Sequence, residues 1–112
     1  MRPITLNTRD ASGGAKTSGL AVLDTYQDTF NVGFGAVVTG TATYTVQHTF
    51  DDPLADGFTP SSATWFDHSS VAGATTSQDG NYAFPVRAIR ISQASGSGSV
   101  AMTVIQAGMP GR

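Results

Sequence analysis

From Phe30 to Phe50 the chain alternates between two kinds of residue: TFNVGFGAVV, then TGT (39–41), then ATYTVQHTF. Phe30, Val32, Phe34, Ala36 and Val38 share one parity, and Asn31, Gly33, Gly35 and Val37 share the other. In the second run Tyr44, Val46, His48 and Phe50 alternate with Thr43, Thr45, Gln47 and Thr49. Side chains of period two stand on opposite faces of a strand, so the pattern demands a sheet with one buried face. Gly33 and Gly35 leave the other face of the first strand nearly bare, which marks a bend or a close approach of another backbone. A turn between the two runs predicts a hairpin with one dry and one threonine-coated face.

The rest of the chain obeys the same grammar. LAVLDTY (20–26) and ATWFDH (63–68) predict short strands, and VAMTVIQ (100–106) predicts one with Val100, Met102 and Val104 inward. YAFPVRAIRIS (82–92) predicts a strand in which Tyr82, Phe84 and Val86 have one parity and Ile89 and Ile91 the other. That switch predicts a bulge near 86–88, with Pro85 at an edge or in the bulge because it cannot donate to a ladder. QASGSGS (93–99) predicts the turn of a second hairpin. DDPLADGFTPSS (51–62) and SSVAGATTSQDGN (69–81) are dense in turn formers and are expected as loops.

Composition supports this reading. All eight acidic residues are Asp, leucine is scarce, and Thr, Val, Gly and Ser are abundant. Strong helix formers are nearly missing, whereas strand and turn formers dominate. The expected fold is all-β: a small antiparallel sandwich or jelly roll over residues 20–108. A polar, extended N-terminal arm (1–19) precedes it, and a frayed tail (109–112) follows.

The 112 residues suit one domain with one modest core. With no cysteine, there is no disulfide, thiolate metal site or cysteine nucleophile. Six basic residues against eight acidic ones give a net charge of −2, and the basic residues form no stripe, so no nucleic-acid partner is expected. No apolar run is long enough to span a membrane, and the start carries no apolar leader. A soluble protein with no membrane partner is expected.

Few residues carry chemistry. His48 and His68, with Asp51, Asp52 and Asp67, include the types that hold a divalent metal or act as a base. The histidines lie twenty positions apart across a loop, and no spacing forces them together. His48 is therefore expected to pack at a strand end with its ring nitrogens bonded to backbone or water. DDPLADG (51–57) lacks the spacing of a calcium loop, and Pro53 breaks its register. GGAKTSG (13–19) fails as a phosphate loop, because Ala15 precedes Lys16, Asp10 stands at the first glycine position and no helix follows. No G-x-S-x-G elbow is present. No enzyme activity and no cofactor are expected.

Contacts with partners are a different matter. Trp65 and Phe66 are adjacent and face opposite ways in a strand, so one is expected in the core and the other exposed as an anchor. Arg87 and Arg90 are candidates for docking on a neighbour, with pairing to loop aspartates as the default. In the arm, Arg2, Ile4, Leu6 and Arg9 are the candidate contacts.

Two stretches, YTVQHTFDDP…TWFDH and GNYAFPVRAIRISQASGSGSVAMTVIQAG, resemble small structural proteins of tailed bacteriophages, and NVGFG extends the likeness. The resemblance covers about 42–108, leaves the arm outside, and has scaffold-like motifs with no catalytic residue to transfer. It implies a virion protein that decorates or cements the head, assembled in the host cytoplasm and carried on the capsid surface. Its partners would be the major capsid protein and further copies of itself, as a dimer or trimer. Deleting residues 1–16 is then expected to abolish capsid binding and spare folding. The alternative is a neck, tail or head-fibre module that contacts host-surface glycan. A small hydrolase using His48 or His68 with an aspartate is the least favoured.

Overall fold

In a computed structural model, residues 3–8, 16–23 and 30–106 are described. They form nine strands and no helix: β1 (Ile4–Asn7), β2 (Lys16–Thr17), β3 (Ala21–Val22), β4 (Val32–Thr39), β5 (Thr43–Thr49), β6 (Trp65–Asp67), β7 (Gln78–Tyr82), β8 (Ala88–Ser95) and β9 (Ser99–Gln106). One sheet has the order β1-β9-β4-β7, and the other runs β2-β8-β5-β6 with β3 also on β8. All pairings are antiparallel. The protein is a small all-β sandwich, as its alternation requires.

The core is the sum of the inward parities. Leu6, Val32, Phe34, Ala36, Tyr82, Val100, Met102 and Val104 come from the first sheet. Ala21, Tyr44, Val46, Ile89 and Ile91 meet them from the second. Burial of this kind stabilises by about 25 cal/mol for each Å² of apolar surface removed from water.

Neither expected hairpin forms. β4 and β5 lie in opposite sheets, as do β8 and β9, so each turn is an arch that carries the chain across the sandwich. Instead β4 pairs with β9 over its whole length, Val32↔Gln106 to Thr39↔Ser99, and β5 pairs with β8. The two arches therefore lie side by side, and Gly98 N–H donates to the Thr41 carbonyl at 2.7 Å. Alternation cannot distinguish these outcomes, because a strand with one apolar face suits either sheet.

The 82–92 segment also divides. β7 ends at Tyr82 and β8 begins at Ala88, so Pro85 lies in a crossing between sheets where no ladder needs its N–H. The parity switch reflects two strands facing one core from opposite sides. The bulge lies elsewhere, in the β5–β8 register between Thr43 and Tyr44. The expected loop 69–81 contains most of β7, and its Val71 is buried in the core. Val46 N–H donates to the Val71 carbonyl, and Tyr44 and Ala74 exchange backbone bonds.

The described part of the expected arm is built into the sandwich. β1 pairs with β9 and β2 with β8, and Leu6 is a core residue. Thr8 is buried between the sheets: its hydroxyl donates to Gln93 Oε1 (2.6 Å) and accepts from Val100 N–H (2.9 Å). The Ser18 hydroxyl accepts from Ile91 N–H of the second sheet (2.9 Å) and donates to the Gly19 carbonyl (2.8 Å). Deleting residues 1–16 would remove the edge strand β1 and the core residue Leu6, so it is expected to destabilise the fold as well as to remove any contact. Arg2, Arg9 and the 109–112 tail lie outside the described residues.

Candidate functional site

The sandwich opens along the side where the edge strands β6 and β7 face each other. Aromatic rings fill that opening. Phe34 and Tyr82 come from the first sheet, and His48 and Phe66 from the second, where His48 and Phe66 are direct cross-strand partners. Phe50, His68 and Phe84 enter from just beyond strand ends.

His48 is the hub. Its ring centroid lies 4.9 Å from Tyr82, 5.6 Å from Phe50, 5.7 Å from Phe84 and 5.9 Å from Phe66, stacked on the last. Its Nδ1 is 2.8 Å from the Tyr82 hydroxyl. Burial and the nearby Asp67 charge push the Tyr82 phenol above its ordinary range, so it stays protonated where it hydrogen-bonds with the His48 ring. His68 flanks the same tyrosine at 4.9 Å and packs edge-on to Phe34. It accepts from Ser70 N–H at Nδ1 (3.1 Å) and donates from Nε2 to the Asn81 carbonyl (3.0 Å), an arrangement that places a proton on Nε2.

The two histidines thus meet around Tyr82, although nothing in their spacing announced it. His48 does pack and hydrogen-bond, but its partner is a side chain from the opposite sheet. Nothing local to YTVQHTF encodes that partner.

Burial, the largest cause, lowers the His48 pKa below 6.5. Between that lowered value and 6.5 the unfolded chain binds a proton that the folded chain refuses. The His48 contribution is therefore fully present above 6.5 and declines as pH falls through this window. The urea midpoint should drop as the pH is lowered below 6.5 through this window. A His48→Gln variant should lose part of that slope; an unchanged slope would remove His48 as its source.

The carboxylates are occupied with turns and neighbours. Asp51 Oδ2 accepts from Thr64 N–H (2.8 Å), Asp52 Oδ1 from Leu54 N–H (3.0 Å), and Asp67 Oδ1 from Gln47 Nε2 (3.1 Å). Asp52 also pairs with Arg87 at 3.6 Å, both side chains nearly half exposed, a contact worth about 0–1 kcal/mol. Among the described residues no group of three or more His, Cys, Asp or Glu could hold a metal ion.

Neither member of the Trp65/Phe66 pair reaches the closed core. β6 is an edge strand, so even its inward side lies at a rim. Trp65 faces outward and is half-buried, with the Arg90 guanidinium 4.0 Å above its ring and its Nε1–H donating to the Pro60 carbonyl. Arg90 also donates to Gln47 Oε1. Ile4 is partly buried against the core and Leu6 is inside it, so core packing accounts for both.

Sequence reasoning missed the rim itself. Phe50, Phe66 and Phe84 are each about half exposed, at 50%, 50% and 49%. They touch: Phe50 lies 5.8 Å from Phe66 and 6.4 Å from Phe84. Three aromatic residues over a histidine floor make one apolar patch, unlike scattered surface hydrophobics. The equal parity of His48 and Phe50 was a sign of it, but the contribution of Phe84 depends on the crossing at Pro85.

Comparison with known proteins finds no matching family model, no similar curated protein and no similar solved structure.

Proposed function

We propose that the protein is a structural component of a phage virion, a decoration or cement protein that bridges capsid subunits on the head. The observation that carries a binding role is the Phe50/Phe66/Phe84 patch. Three half-exposed phenylalanines, with Phe50 against both of the others, present apolar surface that water solvates poorly, and a partner surface relieves it. The place in a virion rests on the likeness of YTVQHTFDDP, TWFDH and PVRAIRISQASGSGSV to phage structural proteins. Binding only an assembled lattice would stabilise that lattice by mass action.

A glycan-binding module on a neck, tail or fibre is the second possibility. It needs a free aromatic face beside polar groups, and one face of Trp65 already carries Arg90. That favours the protein–protein role.

Copy number decides between them. Quantitative mass spectrometry of purified particles should find this chain in a simple ratio to the major capsid protein. A few copies per particle would move it to the neck, tail or fibres. No copies would end the virion assignment.

A further inference from the structure

We propose that the open edge of β6 receives an extended segment of a protein partner, one that alternates apolar and basic residues. The inference deepens the binding role proposed above and rests on it only for the partner's location.

Backbone direction sets the site. His68 N–H donates to the Val46 carbonyl, and His48 faces Phe66 across the ladder, so the backbone groups of Phe66 and His68 turn toward β5. By the two-residue period, those of Trp65 and Asp67 turn away from it, to a side where no described strand pairs with β6. An added strand would bond to these groups and lie about 4.8 Å from β6. Its residue opposite Phe66 would then set its side chain on the inner face, over Phe66, Phe50 and Phe84. The residues on either side would stand on the outer face beside Trp65 and Asp67.

Charge specifies those flanking residues. The Asp67 carboxylate is exposed at this edge, and Asp51 is fastened to the adjoining Thr64 N–H. Asp52 is matched by Arg87, and Arg90 lies against Trp65. The edge is therefore net acidic, and Lys or Arg suits the outer positions. Area argues against a second copy of this chain as the occupant. Three half-exposed phenylalanines offer roughly 300 Å², whereas a stable dimer buries about 800 Å² on each partner. An inserted strand adds backbone bonds that a face-to-face contact of rims lacks.

The full chain, labelled with nitrogen-15, is titrated with a short blocked peptide alternating valine and lysine, and with its valine–glutamate counterpart. The lysine peptide should shift the Trp65 and Asp67 amides and contact the Phe66 ring. The glutamate peptide should bind about tenfold more weakly, and Asp67→Lys should reverse the preference. Shifts centred on another edge or face, no binding, or equal binding of both peptides would overturn the proposal. Binding at β6 by a protein that purified particles lack would instead sink the virion reading and leave the edge site standing.

Discussion

Replacing Gly96 by alanine should cost about 3–5 kcal/mol, a large share of the roughly 5–15 kcal/mol that holds a domain of this size together. Two independent causes combine. Gly96 has φ +106, a conformation that a residue with a side chain adopts only under strain. Its added methyl would also overlap the Thr41 carbonyl oxygen and lie 2.7 Å from Ala42 Cα. Both are backbone atoms of the neighbouring arch, so no side chain can swing aside. Gly98→Ala tests the second cause by itself, since its φ is not positive and its methyl would overlap the Thr39 carbonyl oxygen and approach Thr41 N at 2.6 Å. Gly33→Ala and Gly35→Ala provide the contrast. Nothing lies within 4 Å of either new methyl, so these changes should be neutral or stabilise by up to about 1 kcal/mol. Urea denaturation measures all four. Equal midpoints for Gly96→Ala and Gly35→Ala would refute the stacked arches.

The second large effect lies just beneath the same arches. Gln93 is fully buried, and its Nε2 faces the carbonyls of Ser95 (3.3 Å), Gly96 (3.2 Å) and Gly98 (3.0 Å). Its Oε1 accepts from Thr8, whose hydroxyl accepts in turn from Val100 N–H. One amide thus satisfies the turn between β8 and β9 and ties β1 to both sheets. Gln93→Leu keeps the volume but takes the acceptor from the buried Thr8 hydroxyl and the donor from the partly buried arch carbonyls, at about 1–3 kcal/mol for a group left fully unsatisfied and less where water reaches it. A total loss of about 2–4 kcal/mol is expected. Thr8→Val should lose less, because it removes one hydroxyl and leaves the arch carbonyls bonded. If Gln93→Leu unfolded at the urea concentration of the unsubstituted protein, the amide would be incidental to the fold.

Gln93 also shows how far sequence reasoning reaches. QASGSGS reads as a turn from its composition, but the glutamine in it reads as a polar residue for the surface. It is buried because the chain crosses between sheets there, and a crossing leaves carbonyls that no ladder satisfies. His48 repeats the lesson. Its parity placed it inward, and packing was the natural expectation. The Tyr82 hydroxyl that receives it comes from the facing sheet, and so do its contacts with Phe84 beyond β7.

The aromatic rim was hidden for the same reason. Phe50, Phe66 and Phe84 lie in three separate segments, and each reads as ordinary strand hydrophobicity. Only the side-by-side placement of edge strands β6 and β7 gathers them, and their edge position leaves them half exposed.

The N-terminal arm makes the same point in its described part. A stretch rich in Gly, Ser and Thr offers little to pack, yet four residues carrying Leu6 pair with β9, and Thr8 closes the end.

What the sequence determined by itself was the class of fold and the identity of its inward faces. Period-two alternation permits only strands with one dry side, and that is a local property. Which strand pairs with which is not local. Every apolar face here fits either sheet, and a turn and an arch draw on the same Gly, Ser and Thr. Pairing, and with it the acidic edge of β6 and the phenylalanine patch, was decided by tertiary structure, where backbone hydrogen bonds across the stacked arches select one topology among several that satisfy the same pattern.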